Sequence, residues 1–484
     1  MKPMSLRSLF KVELYLLLIL AMVPNQCQST RFDPNCAIPT EDSNLVLSPN
    51  IRGTFDILWS SLFTIVSCTW TVQHLNVPWQ DPSSRESLWA IIIGIASSLW
   101  VKIKWMITTI ILPEFLVGKA LQDRHRAKTP DPALERIAIR SGFRWTKTHS
   151  FYADMGGFVL KAKSDYRGQV VQTPVYLNLA SLAYVCREDG VNVNPGDAEP
   201  GLSNKEKTSG SLIDKLPTVT ENDIKDKSKD DLFIKLLTLL QVSWSVVQAI
   251  VRGARGLHIS QLEITVIAYA ACTFVTYVLC LSKPKGVGVP TTVPVKRGLH
   301  DIELTMDDAN HIRDCLPRSW FYTSLRLFRH NQRGDGAQHD GHQALLQPIS
   351  NDARYDNTPS AIFPGASLLT LMDDGFLIAG LVFGGIHCAA WNFPFPTPVE
   401  QLLWRIASLL SAGLLPLFYG VLLYDIHVKG PRLLRLPLPA FKVIFTLGFV
   451  LARLYLIVEV FRSLFYLPPS AFVGTWTAHI PHVS

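Results

Sequence analysis

Long apolar runs alternate with long polar stretches along this chain, and the apolar runs set its architecture. Six of them, near residues 55–73, 232–251, 262–281, 368–390, 402–424 and 441–462, suit a membrane crossing. A helix needs roughly 20 mostly apolar residues to cross, because the bilayer core offers no water to backbone amides. Residues 14–24 are apolar too and follow Lys2, Arg7 and Lys11, which reads as a signal peptide or signal anchor over 1–24. A short lumenal segment, 25–54, would come next. Leu88 to Gly118 joins LWAIIIGIASSLW, the basic VKIK and WMITTIILPEFLVG, and is too short for two crossings. It reads either as one span after an interfacial helix or as a segment lying in the interface.

The pattern predicts an all-α fold, a polytopic transmembrane helix bundle of about six to eight spans with two long polar loops. Its membrane regions are 55–118, a helix pair at 232–281 and three helices at 367–463, with a tail at 464–484. The loops are 119–231 and 282–366. The first contains Asn192 to Asp230 and the second HNQRGDGAQHDGHQ, both of flexible, disordered composition. No heptad array or internal repeat appears.

Basic residues orient such a bundle. Lys283, Lys285, Lys296 and Arg297 follow one span and Lys429, Arg432 and Arg435 another, so both loops belong to the cytoplasm. Arg124, Arg126, Lys128, Arg136, Arg140 and Arg144 place the loop after 118 there as well. That assignment conflicts with a lumenal N-terminus if both 55–73 and 88–118 cross. Either Leu88 to Gly118 does not cross, or the N-terminal segment is not translocated.

Composition sharpens the picture in two places. The chain is 48% hydrophobic and only 18% charged, and its net charge of +7 is spread over loops. That distribution speaks for membrane orientation and against nucleic-acid binding. The eight cysteines form no CxxC pair; Cys27 and Cys36 could form a disulfide if lumenal, or remain thiols. P-loop, GxSxG, HExxH and DDxxD patterns are absent, and Asp373–Asp374 runs into Gly–Phe–Leu. Neither a cofactor nor a metal is expected.

Ionisable groups inside spans are costly to bury and are functional candidates by default. Asp56 opens the first span, with Trp59 on the same helical face; Glu263 opens another; Glu114 follows a proline; Glu459 is the deepest, between Arg453 and Arg462. Each also has a structural reading: span ends reach headgroup water, and Glu459 could pair with Arg462 at i+3. His387, among small residues in GGIHCAAW, suits helix packing better than metal binding.

Several phrases resemble a fungal family of polytopic integral membrane proteins, mostly uncharacterised. They are NIRGTFDILWSSLFTIVSCTWTVQHLNVP, VKIKWMITTIILPEFLVGKAL, WTKTHSFYADMGGFVL and LARLYLIVEVFRSLFYLPPSAFVGTWTAHIPH. Fungal polytopic proteins of this size include ones similar to membrane-bound terpene cyclases of meroterpenoid pathways. That resemblance implies a metal-independent, acid-initiated cation cyclisation of a prenylated substrate in the endoplasmic reticulum or another endomembrane. Glu459 or Asp56 would be the acid, with Asp154 a further candidate. Trp59, Trp70 and Tyr455 would line an apolar site for a hydrophobic isoprenoid. The alternative is a non-enzymatic membrane protein, receptor-like, a scaffold or a small-solute transporter, with membrane lipids as its evident partners. A transporter should show broken helices in paired segments or pseudo-repeats, and the sequence displays neither.

Overall fold

The computed structural model describes residues 46, 51–80, 88–166, 169–187, 213, 215–228, 232–294, 306–320, 347–364, 366, 369–427 and 438–475. The expected signal segment, Cys27 and Cys36, the HNQRGDGAQHDGHQ stretch and most of Asn192 to Asp230 lie outside these residues. The fold is a helical bundle with an α/β cap on one end.

The bundle is made of α1 (Thr54–Thr71), α2 (Leu88–Ile111), α3 (Pro113–Lys128), α8 (Leu232–Ala254), α9 (Gln261–Leu279), α11 (Leu371–Cys388), α12 (Pro398–His427) and α13 (Leu438–Arg462). Five helices, α8, α9, α11, α12 and α13, are long and apolar enough to cross a membrane. The α2–α3 pair passes the same test only as a unit and is bent by 106°. Among the described residues the count is therefore five, or six with the bent pair, which reaches only the lower end of the six to eight expected; α1, expected to cross over 55–73, is not among them. Outward positions such as Leu240, Ile250, Leu417, Leu451 and Val458 are exposed and apolar. Such surfaces suit lipid contact.

Local chemistry explains the helix ends. Asp56 accepts from Gly53 N (2.8 Å), satisfying one of the first free amides of α1. Ser260 and Glu263 form a reciprocal capping box on α9, and on α11 Asp373 accepts from Thr370 N (2.8 Å) and Thr370 Oγ1 (2.9 Å). Asp374 accepts from Ala361 N (2.6 Å) and Ile362 N (3.3 Å), so the Asp373–Asp374 pair organises a helix start.

Two ends of the bundle can be told apart by their contacts. At one, Arg52 before α1 pairs with Glu263 opening α9 (2.5 Å). There too Arg252, near the end of α8, donates to the carbonyls of Ser470, Ala471 and Val473 beyond α13. Arg462 closing α13 pairs with Glu400 opening α12. The opposite end carries the C-termini of α1 and α9 and the start of α11, where the cap sits.

The cap is built from both regions that read as polar loops. Helices α4 (Pro132–Arg140), α5 (Lys147–Asp154), α6 (Leu179–Cys186) and α7 (Glu221–Lys227) surround a hairpin of β1 (Phe158–Tyr166) and β2 (Gln169–Leu177). The hairpin is antiparallel with Phe158 opposite Leu177, and β3 (Thr291–Thr292), from the second region, adds in parallel beside Phe158 and Val159. Helix α10 (Met306–Cys315) and the short pair β4 (Arg318–Ser319) and β5 (Ala353–Arg354) complete it. Leu134, Tyr152, Phe158, Tyr176 and Leu182 share one buried core with Ile312, Ile349 and Tyr355.

Candidate functional site

Helix α2 ends at Ile111 and Pro113 starts α3, because proline has no amide for a continuing helix and suits the first helical position. The break lies inside the bundle. Tyr269 on α9 hydrogen-bonds the Ile110 carbonyl, taking up one acceptor that the ended helix leaves. Glu114 stands in the first turn of α3, wholly buried, where a helix N-terminus favours negative charge. Its Oε1 accepts from Arg453 Nη2 of α13, which is 3% exposed. The guanidinium lies over the rings of Phe383 (4.0 Å) and Phe449 (5.1 Å). Glu114 Oε2 and Arg453 Nε and Nη1 have no hydrogen-bond partner. A buried charge pair with three unpaired polar atoms is expensive, and its persistence calls for a role.

From this centre α3 runs outward to the cap. Gly118 packs against Gly375 and Met372 of α11. Further along, Gln122 donates to Tyr355 O (3.0 Å) and Thr358 Oγ1 (2.7 Å). Arg126 holds Asp154 in a bidentate pair (2.8 and 2.9 Å), and its guanidinium lies 3.6 Å from the Tyr355 ring centre. Asp154 also accepts from Leu179 N (3.0 Å). One continuous helix thus joins the intramembrane-type pair to the charge network of the cap.

The residues singled out in the sequence fall in three places. Glu459 is 2% exposed, receives Tyr455 OH (3.4 Å) on Oε2 and has no partner for Oε1. Tyr455 OH also donates to Glu400 O (3.0 Å). Arg462 goes to Glu400 rather than to Glu459. Asp56 caps α1 at this same end, with Trp59 about half exposed on the outer surface (49%). Trp70 is a few turns away, with the Lys102 ammonium 5.6 Å from its ring. Asp154 belongs to the cap, at the opposite end. The structure therefore joins Glu459 with Tyr455, and it joins neither with Asp154. His387 is buried and hydrogen-bonds Phe383 O (2.8 Å) and Thr265 Oγ1 (3.2 Å), a packing role.

Sequence reasoning marked Glu114 and Arg453 separately and did not join them, since 339 residues separate the pair. The usable signal was Leu112–Pro113–Glu114 itself: a breaker and a carboxylate together in an apolar run. Among the described residues no group of His, Cys, Asp and Glu could hold a metal ion.

The fold and its apolar helices define a helical protein compatible with membrane residence, carrying buried charge within the bundle. The chain belongs to a family of unknown function, DUF8562, whose model matches residues 29–182 and 206–310, more than half of its length. Glu114 and the cap charges lie within the match, whereas Arg453 and Glu459 lie beyond it. No curated protein and no solved structure matches the chain.

Proposed function

We propose that the protein is a small-solute transporter of an endomembrane, with its substrate or coupling-ion site at the Glu114–Arg453 centre. The observation that carries this reading is the helix break at Leu112–Pro113, which brings a half-unpaired ion pair into the bundle interior. Interrupted helices whose ends face buried charge are how transporters bind ions and small solutes away from bulk water. Glu114 is the proton acceptor in this scheme. An anionic solute engages Arg453 through the unpaired Nε and Nη1, and protonation of Glu114 frees Nη2 to join it.

The order of ends favours six crossings, by the five long apolar helices and by α1, which is not by itself long and apolar enough, with α2–α3 re-entering from the cap side. Val77, between α1 and α2, packs in the cap core, as does α5 after α3. On this reading the charge conflict falls away through the first of the two options: 88–118 does not cross, and the basic cap faces the cytoplasm.

The test uses purified protein in liposomes loaded with a pH-sensitive dye, with an imposed pH gradient and a panel of small carboxylates outside. Solute-dependent proton flux is expected at least tenfold above empty liposomes and abolished in Glu114→Gln. Equal flux in wild type, variant and empty liposomes sinks the transport reading.

A second reading rests on Glu459, whose buried, unpartnered oxygen suits a proton donor in apolar surroundings. It is the terpene cyclase reading, with Glu459 or Asp56 as acid, Tyr455, Trp59 and Trp70 near the substrate, and Asp154 as the remaining candidate. Incubation with an epoxidised farnesyl-phenol should then yield an isomer of unchanged mass, lost in Glu459→Gln. Absence of that isomer from folded protein removes the cyclase reading.

A further inference from the structure

At the seam between bundle and cap, a cavity of about 40 Å³ opens between the C-terminal ends of α1 and α9 and the flank of α3. A single buried water needs roughly 10–15 Å³ by the same kind of measure, so the space takes a group of several heavy atoms. One wall is apolar, from Leu75, Trp105 and Phe115. The other carries Lys119, Asp123, Lys283 and Gln73.

The charges in this wall do not cancel. Lys119 Nζ donates to Asp123 Oδ1, and Lys283 Nζ donates to Asp123 Oδ2 (2.8 Å). Two ammonium groups therefore share one carboxylate, and the neighbouring Asp154 is already held by Arg126. All three side chains are nearly buried, Lys119 at 8%, Asp123 at 3% and Lys283 at 7% exposure. Burial alone would push the Lys283 ammonium down, but Asp123 outweighs it and holds the group above its ordinary value. Lys283 therefore stays charged; burial pushes the Lys119 amine below its ordinary value, so the wall carries an excess of one positive charge in the state in which both are protonated.

Hydrogen bonding states the need more sharply. Each ammonium has three N–H donors and its bond to Asp123 uses one, which leaves four for other acceptors, with the Lys119 ammonium also 5.6 Å from the Tyr355 ring centre. Gln73, 5% exposed, adds the opposite requirement: its Nε2 donates to Thr69 O (2.9 Å), and its Oε1 has no partner. The wall thus asks for an anion rich in acceptors that also carries one donor. A carboxylate or a sulfate accepts and donates nothing. Inorganic phosphate near neutral pH carries both anionic oxygens and a P–OH, and a phosphate monoester does so in its monoanionic form, below a second pKa of about 6.

We infer that this seam cavity is a binding site for a phosphate group that keeps one P–OH, inorganic phosphate or a monoanionic phosphomonoester, held by Lys119 and Lys283 with its P–OH directed to Gln73. It is independent of the transport reading, because it concerns other residues and needs no flux. Two sources offer the same chemistry. A soluble phosphate reaches the seam from the aqueous side, and a lipid with a phosphomonoester headgroup reaches it from the bilayer past Leu75 and Trp105.

The experiment is thermal unfolding of the full chain in a phosphate-free sugar detergent. Sodium phosphate is compared with sodium sulfate and sodium chloride at equal ionic strength, and mixed micelles of phosphatidate with micelles of phosphatidylcholine. Phosphate or phosphatidate should stabilise the protein where sulfate and phosphatidylcholine do not, and the effective source is the one that does. Gln73→Leu, which removes no charge, should weaken the apparent phosphate affinity tenfold or more and erase the preference over sulfate. Lys283→Gln should abolish the response, but it disturbs Asp123 and is read only if that variant retains wild-type fluorescence. Equal stabilisation by phosphate and sulfate, no stabilisation by either source, or an unchanged response in Gln73→Leu overturns the assignment.

Discussion

Gly118 on α3 and Gly375 on α11 meet back to back, and replacing either with alanine tests how rigidly the cap-bearing helix is seated. A Cβ on Gly375 would lie 2.5 Å from Gly118 Cα and 2.9 Å from Gly118 N. A Cβ on Gly118 would lie 2.5 Å from the Met372 carbonyl oxygen. The obstacles are backbone atoms of two helices, so no rotamer change relieves them. The crossing must open by about 1 Å to restore ordinary carbon contact at roughly 3.5 Å. Overpacking costs typically about 1–3 kcal/mol, and a backbone-on-backbone contact belongs at the upper end. Gly385, on the same helix as Gly375, has no atom within 4 Å of its would-be Cβ. There alanine meets no resistance and gains helix propensity, up to about 1 kcal/mol. Two chemically identical changes ten positions apart on α11 should therefore differ by about 3–4 kcal/mol. Unfolding in mixed micelles, followed by tryptophan fluorescence, measures both. If Gly375→Ala and Gly385→Ala agree within about 0.5 kcal/mol, the close α3–α11 crossing is wrong.

Arg453→Met should cost about 3–5 kcal/mol because it strands the buried Glu114 carboxylate, and Glu114→Gln in the same chain should recover a large part. Strict additivity in that double-mutant cycle would refute the pairing. Asp154→Ala should release Arg126 and the Leu179 amide together, exposing the cap to limited proteolysis while the bundle resists. Burial holds the His149 imidazole below its ordinary value despite its bond to Val219 O, so the unfolded chain binds more protons near neutrality. The stability that the neutral ring contributes is present above about pH 6.5 and lost as pH falls through the folded value. Proteolytic susceptibility of the cap should rise over that range, and His149→Gln should flatten the dependence.

The helices of the bundle were legible because each is a local fact: twenty apolar residues in a row declare themselves without reference to anything else. The cap was not, although one signal stood in view. FVLKAKSDY and QVVQTPVYL alternate apolar and polar residues on either side of Arg167–Gly168, a hairpin pattern inside a stretch that read as polar loop. Its remaining core depends on Ile312 and Ile349, more than a hundred residues away, and no local period reports that. Glu459 is buried near the end of α13, and Arg462, one of the partners open to it, turns to Glu400 instead, because a charge near a helix end chooses among neighbouring helices as readily as along its own. The Glu114–Arg453 pair needed the break at Pro113, and the Lys119–Asp123–Lys283 group needed the end of α9 brought beside α3.

The division of the cap between two stretches of chain also bears on how the protein is made. Its first half, through α7, leaves the ribosome before α8 and α9, and β3, Ile312 and Ile349 come only after them. At about 5–20 residues per second the early half waits on the order of ten seconds for its missing strand and core residues. On the membrane reading proposed above, they reach it only if α9 returns to the side that α8 left. On that reading closure of the cap reports that α9 has turned back: a chain in which it does not keeps an open apolar half-domain.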